Sequence, residues 1–365
     1  MRRISILLLA IGGCGEDGAT GPGLRVWQCD GVRVKGPLDV GLPPAARGNI
    51  EFAQRGASAC QGWAIVLTSD GSSGFVSRVD LSTFRIEPEL FATNPDAVAR
   101  HINGRLYVLN RSGDESIQVY DTTDSNFVQV GSPFPIGDGS ANPQDICCAS
   151  REQCFVTRLG DPGVLMINPE TGEEIGTIDL SDLDVDGNPD ASACFLGGSK
   201  LAVALRRLDG SAPRDPGGIA IIDLLTDPPS LAYTMDTAAP NPLGRFRRQD
   251  DTVARIAEAG SIGATDGVLE VVDVRDGTSL GVLLTEDELG GDLMGFDTCV
   301  SGETWAIAED ADGISSLHAI DLPLGGHPGH ARPSIIEGEN HRLTSIAAEP
   351  CQQRLWVADR NVPAE

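Results

Sequence analysis

The chain has 365 residues and a net charge of −26, a balance that disfavours broad nucleic-acid binding, because phosphate contacts need clustered Lys and Arg. With 41% apolar and 22% charged residues it can bury a sizeable core, which excludes a mainly disordered chain. Its 44 glycines and 23 prolines point to many turns and few long helices.

Arg2 and Arg3 precede an apolar run from Ile4 to Ile11, then Gly12, Gly13 and Cys14. A charged start, a short apolar stretch and small residues form the grammar of an export leader. The run is too short to span a bilayer as a helix. Ile11-Gly12-Gly13-Cys14 also resembles a bacterial lipobox, in which the cysteine is acylated. The expectation is a leader over residues 1–13, lipidation at Cys14, and a small polar tether, GEDGATGPG, to residue 23. That implies an exported protein anchored to the outer membrane, on its periplasmic or cell-surface side. An ordinary secretory leader with a chance cysteine is the alternative.

Setting Cys14 aside leaves Cys29, Cys60, Cys147, Cys148, Cys154, Cys194, Cys299 and Cys351. An even number in an exported chain points to disulfides. No CxxC pair is present, so a thiolate metal site is disfavoured. Residues 24–56 hold two strand-like runs, LRVWQCDGVRV and NIEFAQ, separated by the Pro/Gly-rich passage GPLDVGLPPAARG.

From about residue 57 an outline recurs at spacings of about 41 to 55 residues. One apolar run returns at Trp63, Leu106, Cys154, Leu201, Val253, Trp305 and Leu355. A following run ends on Asp80, Asp121, Asn168, Asp223, Asp273 and Asp321. Asn-Pro steps recur at Asn94, Asn142, Asn188 and Asn241. Each run is short and rich in Val, Ile, Leu or aromatics, as strands are. Four such strands make an antiparallel meander that cannot bury both faces alone, so neighbours must stack. The fold expected over residues 24–365 is therefore all-β, one seven-bladed β-propeller of four-stranded antiparallel blades. The seventh copy stops after two strands. Completion by LRVWQCDGVRV or NIEFAQ is expected, with Cys29 or Cys60 bonded to Cys351 across that seam; truncation at the C-terminus is the alternative.

Tyr107-Val108-Leu109-Asn110 and Phe155-Val156-Thr157-Arg158 resemble the Tyr-Val-Thr-Asn core of the YVTN-type propeller repeats of bacterial and archaeal surface proteins. Gly104-Arg105-Leu106 before it and Ile117 to Asp121 after it also suit that repeat. The copy at Val253 departs from it. The chain as a whole resembles propeller lipoproteins of bacteria. The resemblance implies a fold and a surface location, and no particular reaction.

In a meander of this kind the Asn-Pro turns and the loops after the second strands lie on one face. Asn94, Arg111, Asn142, Arg158, Arg206 and Arg360 are the candidate ligand-face residues. The competing reading has Asn-Pro setting turns and the arginines pairing with neighbouring blades. Asp182, Asp184, Asp186, Asn188 and Asp190 form a DxDxDGxxD loop. Calcium takes six to eight hard oxygen ligands, and Gly187 permits a sharp turn. The alternative is an acidic surface turn. In the tract from Cys147 to Cys154, Cys147 or Cys148 is placed to bond Cys154 across a hairpin. No GxSxG elbow, Gly-rich phosphate loop or HExxH is present, and no tryptophan repeat suggests a quinone cofactor.

The functional expectation is a monomeric binding or interaction module at the cell envelope, for a protein, peptide or carbohydrate ligand, with calcium as the candidate cofactor. A metal-dependent hydrolase or lactonase, with its active site in the propeller channel, is the alternative.

Overall fold

A computed structural model describes residues 4–9, 23–29, 35–40, 49–54, 61–111, 113–137, 139–322, 329–336, 343–350 and 353–359. The expectations at Cys14, Cys60, Cys351 and Arg360 lie outside the described residues, as does most of the leader and tether. The fold is a seven-bladed β-propeller, almost entirely strand. Contacts divide it into two compact units: residues 1–104, 294–321 and 331–365, and residues 105–293 and 322–330.

All seven recurrent runs are second strands of blades: Gly62–Ser69, Arg105–Asn110, Cys154–Arg158, Lys200–Leu205, Val253–Glu258, Thr304–Glu309 and Arg354–Asp359. They stand out in the sequence because both of their faces are buried. In Lys200–Leu205, Leu201, Val203 and Leu205 pack with Phe155, Val164 and Met166 of the preceding blade. Ala202 and Ala204 point the other way, to Ala254, Ile256 and Val272 of the next. Side chains alternate across a strand, so one strand serves two interfaces. The neighbouring strand Gly218–Asp223 compensates in size: Ile219 and Ile221 join the small alanines, and Ala220 joins the large side.

In the first unit, Gly23–Gln28 pairs antiparallel with Arg354–Asp359 and supplies a strand to the seventh blade, as expected. Leu24 and Val26 pack on Trp356, and Trp27 packs with Trp305 and Leu355. NIEFAQ does not take that role. Ile50–Gln54 pairs with Gly62–Ser69 as the first strand of blade one, so the repeat begins there rather than near residue 57. Ile50 and half-buried Phe52 share one face while buried Glu51 and Ala53 take the other, which gives a first strand too few apolar residues to announce itself. Ile4–Leu9, within the expected leader, runs parallel to Gly23–Gln28 and antiparallel to Lys35–Val40.

Blade five is the irregular one. Its first strand is only Arg247–Arg248, because GRFRRQDD offers no apolar run at that point. The first strands of blades one, three and six are tied to the next blade by acids. Glu51 accepts from His101 N at 3.2 Å, Asp145 from Cys194 N at 3.2 Å, and Asp297 from Ala348 N at 2.9 Å. Each carboxylate is buried and reaches the first strand of the following blade. A charge-assisted bond of this kind is worth more than a neutral one.

Three disulfides stand among the described residues. Cys148 bonds Cys154 across the hairpin, one of the two pairings expected there. Cys147 bonds Cys194 and joins blades three and four. Cys29 bonds Cys299, not Cys351. The reason is local: Cys29 N donates to Gln353 O, and Trp305 Nε1 donates to Cys29 O, which aims the thiol at blade six.

Candidate functional site

The loop face forms as the meander requires. In the second unit the turn into each blade bonds to the end of that blade's second strand. Leu159 N donates to Asn142 O at 3.0 Å, Arg206 N to Asp190 O at 3.2 Å, and Ala259 N to Asn241 O at 3.0 Å. Asn142 and Asn241 adopt φ of 47° and 58°, the left-handed region that asparagine tolerates better than most residues. At Asn188-Pro189 the left-handed residue is Asp190, with φ of 55°.

The candidate arginines serve the face as braces. Arg111 Nη1 donates to Gln144 Oε1 at 3.0 Å, and Gln144 is the bulged residue of blade three's first strand. Arg206 Nε donates to Asn241 Oδ1 at 2.7 Å. Arg158 turns to its own loop, with Nη2 2.8 Å from Asp161 Oδ1, and burial lowers its pKa. In the first unit Asn94 closes its own turn, its Oδ1 accepting from Asp96 N at 2.9 Å.

The acidic loop lies beside something sequence reading missed. Between the second and third strands of blade four the chain makes an extra hairpin, Leu208–Asp209 with Ala212–Pro213. It carries Arg214 to the DxDxDG loop. Arg214 Nη1 lies 2.6 Å from Asp184 Oδ2, and Nη2 lies 3.2 Å from Asp186 Oδ2. The Asp184 side chain is 4% exposed, so its charge needs that partner. Asn188 Nδ2 donates to Leu159 O at 2.9 Å. Asp190 Oδ2 accepts from Leu208 N at 2.7 Å and so anchors the hairpin. Burial raises the Asp190 pKa, against that N–H bond. The N–H of Asn188, then Arg214, lowers that of Asp186. Asp182 is exposed. The five expected oxygen donors are thus close in sequence but do not converge: Asp184 and Asp186 share Arg214, Asn188 and Asp190 turn to backbone groups, and Asp182 faces solvent. Among the described residues no three His, Cys, Asp or Glu side chains are arranged to hold a metal ion.

Hairpin and loop flank a shallow, open cleft of about 370 Å³, lined by Asp182, Leu183, Asp184, Val185, Arg207, Arg214, Asp215 and Pro216. Arg207 sits at φ of 50°, a strained conformation for a non-glycine residue. Three contacts hold it there: its N donates to Pro189 O, its O accepts from Arg214 N, and its Nη1 reaches Asp236 at 3.0 Å. Val185 is 89% exposed on the wall of the cleft. The one sequence signal for this arrangement was length: the stretch from Arg206 to Gly217 is longer than the corresponding loops of blades one to three.

No protein-family model matches the chain, and no curated protein matches it in sequence. Solved structures do match in fold. A streptogramin B lyase aligns with a TM-score of 0.57 at 11% identity, over 92% of this chain and 96% of its own. Virginiamycin B lyase from Staphylococcus aureus gives 0.57 at 10% identity, over 92% and 98%. A putative 6-phosphogluconolactonase from Bacteroides uniformis gives the same three values, 0.57, 10% and 92%, with 98% of its own chain covered. At these identities the likeness is one of fold, and the chain is similar to these proteins as one β-propeller is to another.

Proposed function

We propose that this protein is a ligand-binding module of the cell envelope, exported, lipid-anchored through Cys14, and related to the YVTN-type propellers of surface proteins. Its ligand site is the cleft on blade four. The observation that carries this reading is the extra hairpin, held in a strained conformation beside the acidic loop, where the two flank an open cleft with an exposed apolar residue, Val185, on its rim. Pockets with a few convergent polar groups on an otherwise regular scaffold are where ligands bind. Three disulfides support an oxidising compartment.

The test is a thermal-shift screen of peptides, oligosaccharides and small acids against wild type and Val185→Trp. The bulky side chain fills the cleft from an exposed position, where surface changes usually leave stability within about 0.5 kcal/mol. A ligand that stabilises wild type and not Val185→Trp locates the site. Ligands that stabilise both equally place binding elsewhere. Mass spectrometry of the membrane fraction checks the anchor: a diacylglyceryl adduct is expected on Cys14, and a mature N-terminus at another residue removes it.

A further inference from the structure

The second strand of blade five, Val253–Glu258, ends on a glutamate that is 0% exposed. Its Oε2 accepts from Ala239 N at 2.6 Å. Its Oε1 meets no donor. The group facing it is the carboxyl of Glu270, on the adjacent strand Val268–Asp273 and 1% exposed. Glu270 collects two donors, Ser279 Oγ on Oε1 and Ala238 N on Oε2 at 3.3 Å.

Two buried carboxylates in contact cannot both be ionised. A buried polar oxygen without a partner also needs an explanation. One proton answers both. We propose that Glu258 is a carboxylic acid whose Oε1–H donates to the Glu270 carboxylate, and that this proton latches the loop from Thr237 to Asn241 onto blade five.

The assignment of the proton follows from donor counts. Glu270 already accepts two hydrogen bonds, one on each oxygen, whereas Glu258 accepts one and its second oxygen is without a donor. Among the described residues no other donor reaches either carboxyl. The outer strand Thr278–Thr285 presents Ser279, and the loop presents the N–H groups of Ala238 and Ala239. Glu286, on the helical turn after the outer strand, is taken by Gly267 N and Leu293 N. Asp273, at the far end of its strand, pairs with Arg275. Among the described residues no Lys or Arg forms an ion pair with either carboxyl. Burial and then Glu270 push the Glu258 pKa up to about 11, in agreement with the geometry.

The latch reaches the loop face. Asn241, two residues beyond Ala239, accepts from Arg206, the neighbour of Arg207 in the cleft wall. Loss of the proton would set two anions against each other and release the turn that braces Arg206.

The test compares thermal unfolding of wild type and Glu258→Gln from about pH 6 to about pH 10. Glutamine keeps an N–H donor for Glu270 and an acceptor for Ala239 N, but has no proton to lose. The folded state holds a proton that the unfolded chain releases in the ordinary carboxylate range. Wild type is therefore expected to lose stability as pH rises, its unfolding constant gaining about tenfold per pH unit over that of Glu258→Gln. Parallel pH profiles overturn the proposal. A measurement on wild type alone guards against a misfolded variant: ¹³C spectra of glutamate-labelled protein should show one carboxyl carbon still at the protonated position at about pH 9, above the value of about 7 to which burial raises Glu286. Only ionised glutamates there overturn it equally.

Discussion

Arg214 stands where a metal would stand in an acidic loop of this spacing. Its guanidinium meets Asp184 and Asp186 together and so neutralises a cluster that its own sequence segment cannot. Replacing it with alanine leaves the buried Asp184 carboxylate with the Val185 N–H and, among the described residues, no cation. The variant is expected to unfold at a lower temperature than wild type, because a buried charge has lost its cationic partner. Isothermal titration should then give a larger calcium heat for Arg214→Ala than for wild type, since hard oxygen ligands have been freed. Equal heats would show that the loop has no appetite for a cation. The acidic side of this arrangement was legible, because Asp-x-Asp-x-Asp-Gly is a local pattern. Its partner was not. Arg214 lies in a different loop, 28 residues from Asp186, and no spacing rule connects the two.

The cross-links between strands differ in what they constrain. Cys29–Cys299 closes 270 residues, Cys147–Cys194 closes 47, and Cys148–Cys154 only 6. If loop entropy dominates, removing each pair by Cys→Ala should cost about 5.5, about 4 and about 2 kcal/mol in that order. Urea unfolding of the three double variants measures this. A hairpin variant that loses as much as the Cys29/Cys299 variant would mean that native packing, not chain entropy, sets the values. The same elements show what periodicity reveals. Second strands, buried on both faces, read as unbroken apolar runs, and all seven were found where expected. First strands carry polar residues that tie one blade to the next, and these interrupt the pattern. Asp145 inside PQDICC is one such interruption. An acid in the middle of an inner strand is itself a signal, since it stays there only with a donor to meet it, here Cys194 N. The two-residue first strand of blade five left no trace, because charged side chains fill it.

Across the whole molecule the dominant feature is charge: 53 Asp and Glu against 27 Lys and Arg. Many of the basic residues are already spent. Arg105 pairs with Asp121 and Glu170, Arg354 with Glu349, and Arg214 with the acidic loop. The unspent charge is negative, and its self-repulsion opposes the compact state. Near 0.01 M salt this field extends about 30 Å, and near 0.15 M about 8 Å. Thermal midpoints are therefore expected to rise by a few degrees over that range of NaCl. The buried pairs inside the blades are screened much less than the surface, so the rise reports the surface acids. A falling midpoint would mean that attractive pairs outweigh the net repulsion. Repeating the series with CaCl₂ at matched ionic strength separates screening from site binding. A further rise in wild type marks a bound divalent ion. The same rise confined to Arg214→Ala assigns the cation's place to the arginine, in agreement with the geometry of the loop.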